Sequence, residues 1–361
     1  MSVYFITIFS VFVLCCLVRN FDYQTLTLRN NGTIKHTSTA KLFYVFIFAV
    51  LVFVAGFRYY VGTDFGNYYL YYEKYASEFF ENLKTFNEPG FRLICWLVVL
   101  FGGNGTTFIF FAAAITIALF MITIYKNTDM LLPATLLYIF LGCWHGAFNG
   151  VRQYLAAAIV FAGLRYIKER KFWKYALVVF IAFLFHSSAI MMIFIYFIAY
   201  NKISFRNIIL LVGTSLIILF SFTEVLEFAG FILQEEFVEG DEYITSSVNI
   251  FRILVALAPA IFFLFLYQKR TITREQQFWF NMLIINGVMM FATSNSAYLA
   301  RMGIYTAPFS AIGIPELIKG VNPKEKKIIT TIILIAFAAF WLYEISNSYS
   351  LNNFRFIFDN I

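Results

Sequence analysis

The sequence predicts an all-α protein, a polytopic membrane helical bundle of about 10–12 spans. Two observations favour this class. Of the 361 residues, 61% are hydrophobic and only 13% are charged, whereas a soluble domain carries about 25% charged residues. The apolar residues also fall into runs of the roughly 17–25 residues with which an α-helix crosses a bilayer. No internal repeat or Pro/Gly-rich linker is evident, so we predict a single transmembrane domain over residues 1–361.

Ten runs are candidate spans, and two further segments do not fit one span each. The first run lacks a basic leader and a clear small-residue cleavage site, so we interpret it as a retained span. Residues 90–101 are too short to cross the bilayer, and residues 172–200 are too long and are interrupted at His186. The ten runs are residues 2–18, 42–57, 106–125, 131–148, 151–167, 208–222, 250–267, 278–292, 302–318 and 328–343.

Lysine and arginine counts orient the bundle. Six segments hold 19 of the 27 basic residues and 6 of the 20 acidic residues, and the rest of the chain holds 8 basic and 14 acidic residues. Such an excess of basic residues is typical of cytoplasmic loops. The net charge of +7 therefore reports topology and gives no support for nucleic-acid binding. The six segments are residues 19–41, 126–129, 165–174, 202–206, 269–275 and 316–327.

These assignments constrain the two irregular segments. Residues 90–101 must enter and leave on the outer side as a re-entrant helix, and residues 172–200 must form a broken-helix hairpin that turns near His186. Broken helices occur at membrane depth only where they are buried or line a wet cavity. The sequence therefore predicts an outward-open cavity, with outer loops at residues 58–89 and 223–248.

The unusual polar residues of this charge-poor chain fall on the outer side. Ionisable groups near membrane depth are costly and are functional candidates by default. The candidates are Arg58, Asp64, Glu88, Arg92, His145, Arg152, Gln153, His186 and Arg301.

Residues 57–75 combine Arg58 and Asp64 with seven tyrosines. Arg58 has an ordinary interpretation as an arginine that extends to the membrane interface, and Asp64 could simply cap the helix that follows it. Tyr68 and Tyr72 lie at helical spacing on one face of that helix. Tyrosines form interfacial belts, but a phenol also suits sugar binding, because it offers an apolar face and a hydrogen-bonding tip.

Two turns supply further candidates. Glu88 precedes a Pro-Gly pair at a predicted helix start, where the helix dipole favours an anion and gives a complete structural explanation. A glycine-rich turn that contains His145 leads into a helix beginning with Arg152 and Gln153. A cation is unfavourable at a helix N-terminus, whereas an anion there would meet free N–H groups and a guanidinium. Arg152 is therefore the strongest functional candidate.

Arg301 repeats the pattern of an outer arginine just before a span. With Arg58 and Arg152 it supplies three guanidiniums, and the guanidinium group suits bidentate capture of phosphate oxygens. Asp64 and Glu88 are then the available proton acceptors.

His186 is the remaining ionisable group of this set. A lone histidine in an apolar segment is more often a hydrogen-bonded core residue than a ligand or a base. The carboxylates are scattered, no pair of histidines has ligand spacing, and the four cysteines show no metal or disulfide pattern. We therefore predict neither a metal nor a cofactor.

Five motifs follow one another along the chain: Arg58 with Gly62-Thr63-Asp64, Glu88-Pro89-Gly90-Phe91, Val151-Arg152-Gln153-Tyr154-Leu155-Ala156, Phe185-His186-Ser187-Ser188 and Tyr298-Leu299-Ala300-Arg301. Together they resemble the EpsG family. These are multi-pass proteins of bacterial exopolysaccharide, capsule and O-antigen loci, and they are related to Wzy-type oligosaccharide repeat-unit polymerases. The resemblance covers residues 45–318.

The resemblance implies a metal-independent glycosyltransferase at the outer face of the bacterial plasma (inner) membrane. It would join undecaprenyl-diphosphate-linked oligosaccharide repeat units by moving the growing chain onto a hydroxyl of a new unit. Its partners would be membrane lipid, a chain-length regulator and a flippase. The implied roles are diphosphate binding for Arg58, Arg152 and Arg301; proton transfer for Asp64, with Glu88 second; an orienting or binding role for His186; and sugar binding for Tyr68, Tyr72, His145 and Gln153.

Three alternatives stay open from the sequence. A flippase or other transporter of the same lipid-linked sugar would also contain broken helices, although transporters commonly show internal repeats. A membrane O-acyltransferase could use His186. A ligase that moves finished glycan to another acceptor shares almost all of the chemistry described above.

Overall fold

The structure is a computed structural model, and it describes residues 1–23, 36–199, 246–267 and 272–360. The candidate span 208–222, the basic segment 202–206 and the acidic part of the predicted outer loop 223–248 lie outside these described residues.

The described residues form α-helices joined by turns, with no β-strand among them, which confirms the predicted all-α class. Three short 3-10 helices lie at His145–Phe148, Ser187–Phe194 and Ile357–Asn360. The α-helices are α1 (Ser2–Tyr23), α2 (Ser38–Gly56), α3 (Phe65–Ser77), α4 (Phe79–Thr85), α5 (Pro89–Leu100), α6 (Gly105–Asn127), α7 (Leu131–Phe140), α8 (Val151–Ala162), α9 (Leu164–Lys168), α10 (Phe172–Phe183), α11 (Ile195–Ile198), α12 (Ile250–Tyr267), α13 (Arg274–Ala292), α14 (Ala297–Ala300), α15 (Gly303–Ile318), α16 (Pro323–Asn347) and α17 (Tyr349–Asn352).

Five of these helices, α1, α2, α6, α12 and α16, are long and apolar enough to cross a membrane. Their outer surfaces carry large apolar side chains, such as Phe9 on α1, which is 68% exposed. A soluble protein rarely exposes such a continuous apolar surface. The protein is therefore a polytopic membrane protein.

The centre of the bundle is formed by α7, α8 and α15. Helix α8 packs against α6, α10 and α15, and α15 packs against α7 and α13. The three successive alanines 156–158 are fully buried, because small side chains allow neighbouring helices to approach α8 closely. This packing fixes the position of α8, whose first turn carries Arg152 and Gln153.

One predicted span is shorter in the structure than the sequence indicated. Residues 131–148 were expected to form one helix, but α7 ends at Phe140. Gly142 adopts a positive φ of 82°, a conformation that ends a helix, and the chain then forms the 3-10 turn that contains His145. The turn carries polar groups into the interior, where a continuous span would have held apolar ones.

The broken-helix hairpin is confirmed. Helix α10 ends at Phe183, His186 is extended with φ −159° and ψ 125°, and the 3-10 helix Ser187–Phe194 packs back against α10. Helix α5 has 12 residues, or about 18 Å at 1.5 Å per residue, which is too short to cross a bilayer.

Residues predicted to lie on the inner side contact one another at one end of the helices, and residues predicted to lie on the outer side contact one another at the other end. At one end, the His36 ring lies between the Asp22 carboxylate and the Tyr125 carbonyl. At the other end, the chain after α16 returns to the loop that follows α2. The amide N–H of Tyr59 donates to the carbonyl of Arg355 at 2.9 Å, and that of Ile357 donates to Phe57 at 2.9 Å. We call residues 349–360 the strap.

Candidate functional site

The Glu88 carboxylate lies between two cationic or proton-carrying side chains. Arg152 Nη1 donates to Glu88 Oε2 at 2.5 Å, and His186 Nδ1 donates to Glu88 Oε1 at 2.5 Å. Arg152 Nε also lies 3.5 Å from the Tyr68 hydroxyl. Three motifs that are far apart in the sequence therefore meet at one point. We call Glu88, Arg152, His186 and Tyr68 the Glu88 cluster.

The backbone around Glu88 brings the start of α5 against the break in the hairpin. Glu88 has a left-handed conformation with φ 48°, and its side chain makes no capping bond to α5. The Gly90 N–H donates to the Leu184 carbonyl at 2.7 Å, and a Cβ at Gly90 would lie 2.9 Å from the Phe185 ring. Only glycine permits this approach, so Gly90 positions Glu88 beside His186.

The electrostatics of the cluster keep Glu88 ionised. Burial opposes ionisation, but the hydrogen bond from His186 and the positive charge of Arg152 outweigh it and lower the pKa of Glu88 below its usual value of 4.5. The His186 side chain is 16% exposed, and within the described part of the chain its Nε2 makes no hydrogen bond. Because Nδ1 donates to a carboxylate, Nε2 is left as a proton acceptor.

Helix α8 begins without a side-chain cap, since its N-cap residue is Gly150. Its first amide N–H groups therefore lack the partner that a capping side chain provides. Gly150 and Tyr154 line a cavity of about 410 Å³, a size typical of small-molecule sites. The N-terminus of α8 thus opens into this cavity, while Arg152 reaches the Glu88 cluster.

The cavity lies between the turn after α7, the first turn of α8, and helices α12, α13, α15 and α16. Its wall carries Arg301 and His145, both predicted as site residues, together with Arg252 and Glu344. His145 Nδ1 accepts a hydrogen bond from Trp341 Nε1 at 3.2 Å, which leaves the other ring nitrogen as the donor. Two guanidiniums therefore share one compartment.

Gln153 connects the cavity to the start of α8. Its Nε2 donates to the backbone carbonyl of Arg301 at 3.3 Å. Beside it, the buried hydroxyls of Ser188 and Tyr305 lie 2.9 Å apart, so the segment that follows His186 is tied to α15. Gln153, predicted to bind sugar, contacts the backbone that carries Arg301, and its role in sugar binding stays a prediction.

Arg58 lies apart from the cavity described above and is surrounded by backbone. Its guanidinium donates to the carbonyls of Ala55, Val61 and Phe148, and it stacks on the Phe148 ring at 4.7 Å. Burial lowers the pKa of Arg58 to about 9, so the group stays cationic at neutral pH. The structure thus gives Arg58 a role in holding the loop after α2 against the turn before α8.

Asp64 and Tyr72 are also away from the cavity wall. Asp64 occupies the N-cap position of α3 without a capping bond, and its carboxylate accepts from the Thr63 hydroxyl at 3.2 Å. The Tyr68 hydroxyl lies within electrostatic range of both Asp64 and Glu88. Tyr72 is buried and donates to Glu73 at 2.8 Å. Among the described residues, Asp64 makes no hydrogen bond or ion pair to the Glu88 cluster.

Two residues of the cavity were missed by the sequence reasoning. Arg252 is the third residue of the apolar helix α12, and Glu344 lies near the end of α16. An ionisable residue inside an apolar span is a functional candidate, so the same rule that selected Arg152 would have found both.

Among the described residues, no three His, Cys, Asp or Glu side chains lie close enough together to hold a metal ion. Metal independence stays a prediction.

A comparison with protein families agrees with the motifs that meet in the structure. The EpsG family model matches residues 41–358. The chain belongs to the EpsG family. No curated protein and no solved structure matches this sequence. The EpsG match extends beyond the segment of the sequence resemblance and includes most of the strap, the Glu88 cluster and the described residues that line the cavity. As an EpsG protein with several membrane helices, the chain is a membrane protein of polysaccharide biosynthesis.

Proposed function

We propose that this protein is a polysaccharide polymerase. It transfers a growing glycan from undecaprenyl diphosphate to a sugar hydroxyl of a new lipid-linked repeat unit, at the outer face of the bacterial plasma membrane. The observation that carries the proposal is that the start of α8 connects two features: Gly150 and Tyr154 line an arginine-lined cavity, and Arg152 contacts the Glu88 carboxylate that holds a proton-accepting histidine.

The cavity supplies groups suited to the leaving diphosphate. Arg301 lines it, the uncapped N-terminus of α8 opens into it, and Arg152 flanks that N-terminus with a side chain that is 35% exposed. Helix N-termini and guanidiniums both bind phosphate oxygens. As the bond between the anomeric carbon and the phosphate oxygen breaks, its electron pair stays on the diphosphate, and these groups stabilise that charge.

The Glu88 cluster supplies the proton acceptor. The acceptor hydroxyl oxygen forms the new bond to the anomeric carbon, and its proton goes to His186 Nε2. Glu88 holds the ring through Nδ1 and stabilises the imidazolium that forms, which is the arrangement of carboxylate–histidine pairs in other transferases and hydrolases. This moves the first choice of base from Asp64 to His186, with Glu88 as a positioning residue and Asp64 as the second candidate base.

The lipid-linked oligosaccharide is the substrate, and its tail would enter between spans from the bilayer. His145 on the cavity wall remains a candidate for sugar binding, as does the half-exposed side of the tyrosine-rich helix α3. A flippase and a chain-length regulator are the proposed partners in the pathway.

The test is a reaction with purified protein in nanodiscs and a defined repeat unit on undecaprenyl diphosphate, with the products separated by size. A ladder of multiples supports the polymerase. A flippase would move the substrate across a vesicle without making new bonds, an acyltransferase would give one mass step that depends on an acyl donor, and a ligase would give one transfer to another acceptor. Any of these three results contradicts the proposal.

Matched variants test the assignment of the base. His186→Ala should reduce the rate by about 100-fold or more, as expected for loss of a general base, while Lys84→Gln, at an exposed position on α4, should have no effect. Asp64→Asn tests the second candidate. Full loss of activity in Asp64→Asn with an active His186→Ala would return the base to Asp64.

A further inference from the structure

A second ion pair lies in the cavity wall, between α12 and α16. Arg252 Nε donates to Glu344 Oε2 at 2.8 Å, and Arg252 Nη2 lies 2.5 Å from the same oxygen. The Arg252 side chain is 54% exposed, and that of Glu344 is 19% exposed. Both residues line the cavity together with Arg301, and nothing in the family assignment gives either of them a role.

The two helices are joined beside this pair by other contacts. The Asn249 side-chain amide donates to the Tyr343 hydroxyl at 3.0 Å, and the Phe251 and Tyr343 rings meet edge to face at 5.5 Å. Exposed ion pairs add little to stability. The ion pair between Arg252 and Glu344 therefore contributes little to the packing of α12 against α16. Its position in the cavity wall requires another explanation.

The chemistry of the pair matches that of a phosphate contact. A carboxylate and a phosphoryl group present equivalent oxygens to a guanidinium. Arg252 and Arg301 both line the cavity, as does Tyr154, whose hydroxyl lies within electrostatic range of both arginines. A ligand with two adjacent phosphoryl groups could contact one guanidinium with each group.

We propose that Arg252 is an exchangeable phosphate ligand of the cavity and that Glu344 competes with the incoming phosphoryl group for it. A diphosphate displaces Glu344, because it gains contacts to both Arg301 and Arg252. A monophosphate contacts Arg301 alone, so it gains too little binding free energy to displace the Glu344 carboxylate. Glu344 therefore makes the site select diphosphates over monophosphates, a property that depends on the proposed function only for the identity of the natural ligand.

Binding measurements with unreactive probes test this selection. Purified protein in nanodiscs is titrated with farnesyl diphosphate, farnesyl monophosphate and inorganic pyrophosphate. Arg252→Gln should weaken diphosphate binding by about tenfold, which corresponds to about 1.4 kcal/mol. Glu344→Gln should tighten monophosphate binding more than diphosphate binding and so reduce the selectivity. Arg355→Gln and Glu81→Gln are the matched controls, because both side chains are exposed and outside the cavity, and they should change neither affinity.

The opposite effects of the two variants distinguish a ligand from a structural ion pair. If both variants lower thermal stability and leave every dissociation constant unchanged, or if Glu344→Gln weakens binding, the proposal is wrong. It is also wrong if the wild-type protein binds neither diphosphate probe. If pyrophosphate binds and shows this variant pattern, the cavity recognises the diphosphate head group alone. If only farnesyl diphosphate shows the pattern, recognition also requires the isoprenoid tail.

These binding measurements require neither an acceptor sugar nor catalytic turnover. Their outcome is therefore independent of whether the protein is a polymerase. If no ladder forms but the variant pattern holds, the cavity remains a diphosphate-selective site. If a ladder forms and the variant pattern is absent, only the role of the Arg252–Glu344 pair is overturned.

Discussion

At the residue scale, the central feature is one carboxylate with two partners. Glu88 accepts from Arg152, 64 residues later, and from His186, 98 residues later. The sequence identified all three as unusual polar groups in an apolar chain, but it could not show which side chains meet. A buried carboxylate that is fully hydrogen-bonded is a stronger positioning group than a base, because its lowered pKa makes it a weak proton acceptor.

The lowered pKa of Glu88 predicts an acid dependence of stability. A folded-state pKa below the unfolded value of 4.5 stabilises the protein fully above that value, and this contribution is lost as the pH falls through the folded-state pKa. Glu88→Gln should cost about 1.5–3 kcal/mol at neutral pH, the usual size of hydrogen bonds to charged groups. Its thermal midpoint should also fall less than that of the wild type on acidification.

Thermal unfolding of the detergent-purified protein between about pH 7 and pH 3 measures this difference. Glu81→Gln, at an exposed position, is the control and should follow the wild type. If the thermal midpoints of the wild type and Glu88→Gln fall in parallel as the pH is lowered, protonation of Glu88 does not cause the loss of stability in acid.

At the element scale, function depends on where helices stop. Ten residues separate the end of α7 from the start of α8, α10 ends before His186, and α5 is only 12 residues long. Each of these interruptions places a polar group where a continuous span would have held an apolar one. The break at His186 was predictable from length and composition. The early end of α7 was predictable only in part: the sequence indicated a glycine-rich turn that contains His145, but it did not show that the helix ends at Phe140, ahead of the positive φ of Gly142.

Gly90 offers a direct test of this element-scale arrangement. Gly90→Ala would place a Cβ 2.9 Å from the Phe185 ring and 3.0 Å from the Leu184 carbonyl. The start of α5 should then move away from the hairpin and separate Glu88 from His186. We expect a loss of about 1–3 kcal/mol in the free energy of unfolding, as in other overpacked sites, and a rate reduced by about 100-fold from the misplaced groups.

Gly66→Ala is the matched control, because its added Cβ meets only the Tyr60 ring at 3.7 Å. It should retain both stability and activity. Wild-type activity in Gly90→Ala would mean that the contact between α5 and the hairpin does not set the geometry of the site.

The same contrast between pattern and geometry applies to the three predicted phosphate-binding arginines. Arg152 was selected at the start of a predicted helix and Arg301 just before a span; Arg152 lies at the start of α8, and Arg301 lies on the cavity wall. Arg58 was selected at the outer end of a span, and its guanidinium contacts three backbone carbonyls. Hydropathy and spacing carry no information about which carbonyls a tight turn leaves available, so the two kinds of arginine cannot be told apart from sequence.

At the scale of the whole molecule, the charge distribution of the sequence and the contacts of the structure distinguish the same two ends of the bundle. The Asp22, His36 and Tyr125 contacts lie at the end that the basic residues assign to the cytoplasm, and the strap lies at the other. The direction in which the protein is inserted remains a prediction from the positive-inside rule.

Cysteine labelling measures that direction. In a Cys16→Ser background, which removes the exposed thiol and leaves the three buried ones, Lys84→Cys should react with a membrane-impermeant maleimide on intact cells. Lys324→Cys should react only after permeabilisation, because residues 316–327 are assigned to the cytoplasm by their charge. Labelling of Lys324→Cys on intact cells would invert the topology and move the cavity to the inner face.

The strap has a consequence for biogenesis. The loop that carries Arg58 pairs with Phe356, a residue that the ribosome adds about 300 positions later, so at 5–20 residues per second that edge of the loop waits about 15–60 s for its partner. During this interval the loop lacks its partner, and a membrane protease or an insertion chaperone could reach it. Quality control could therefore distinguish finished molecules from stalled ones by whether this loop is paired with the strap.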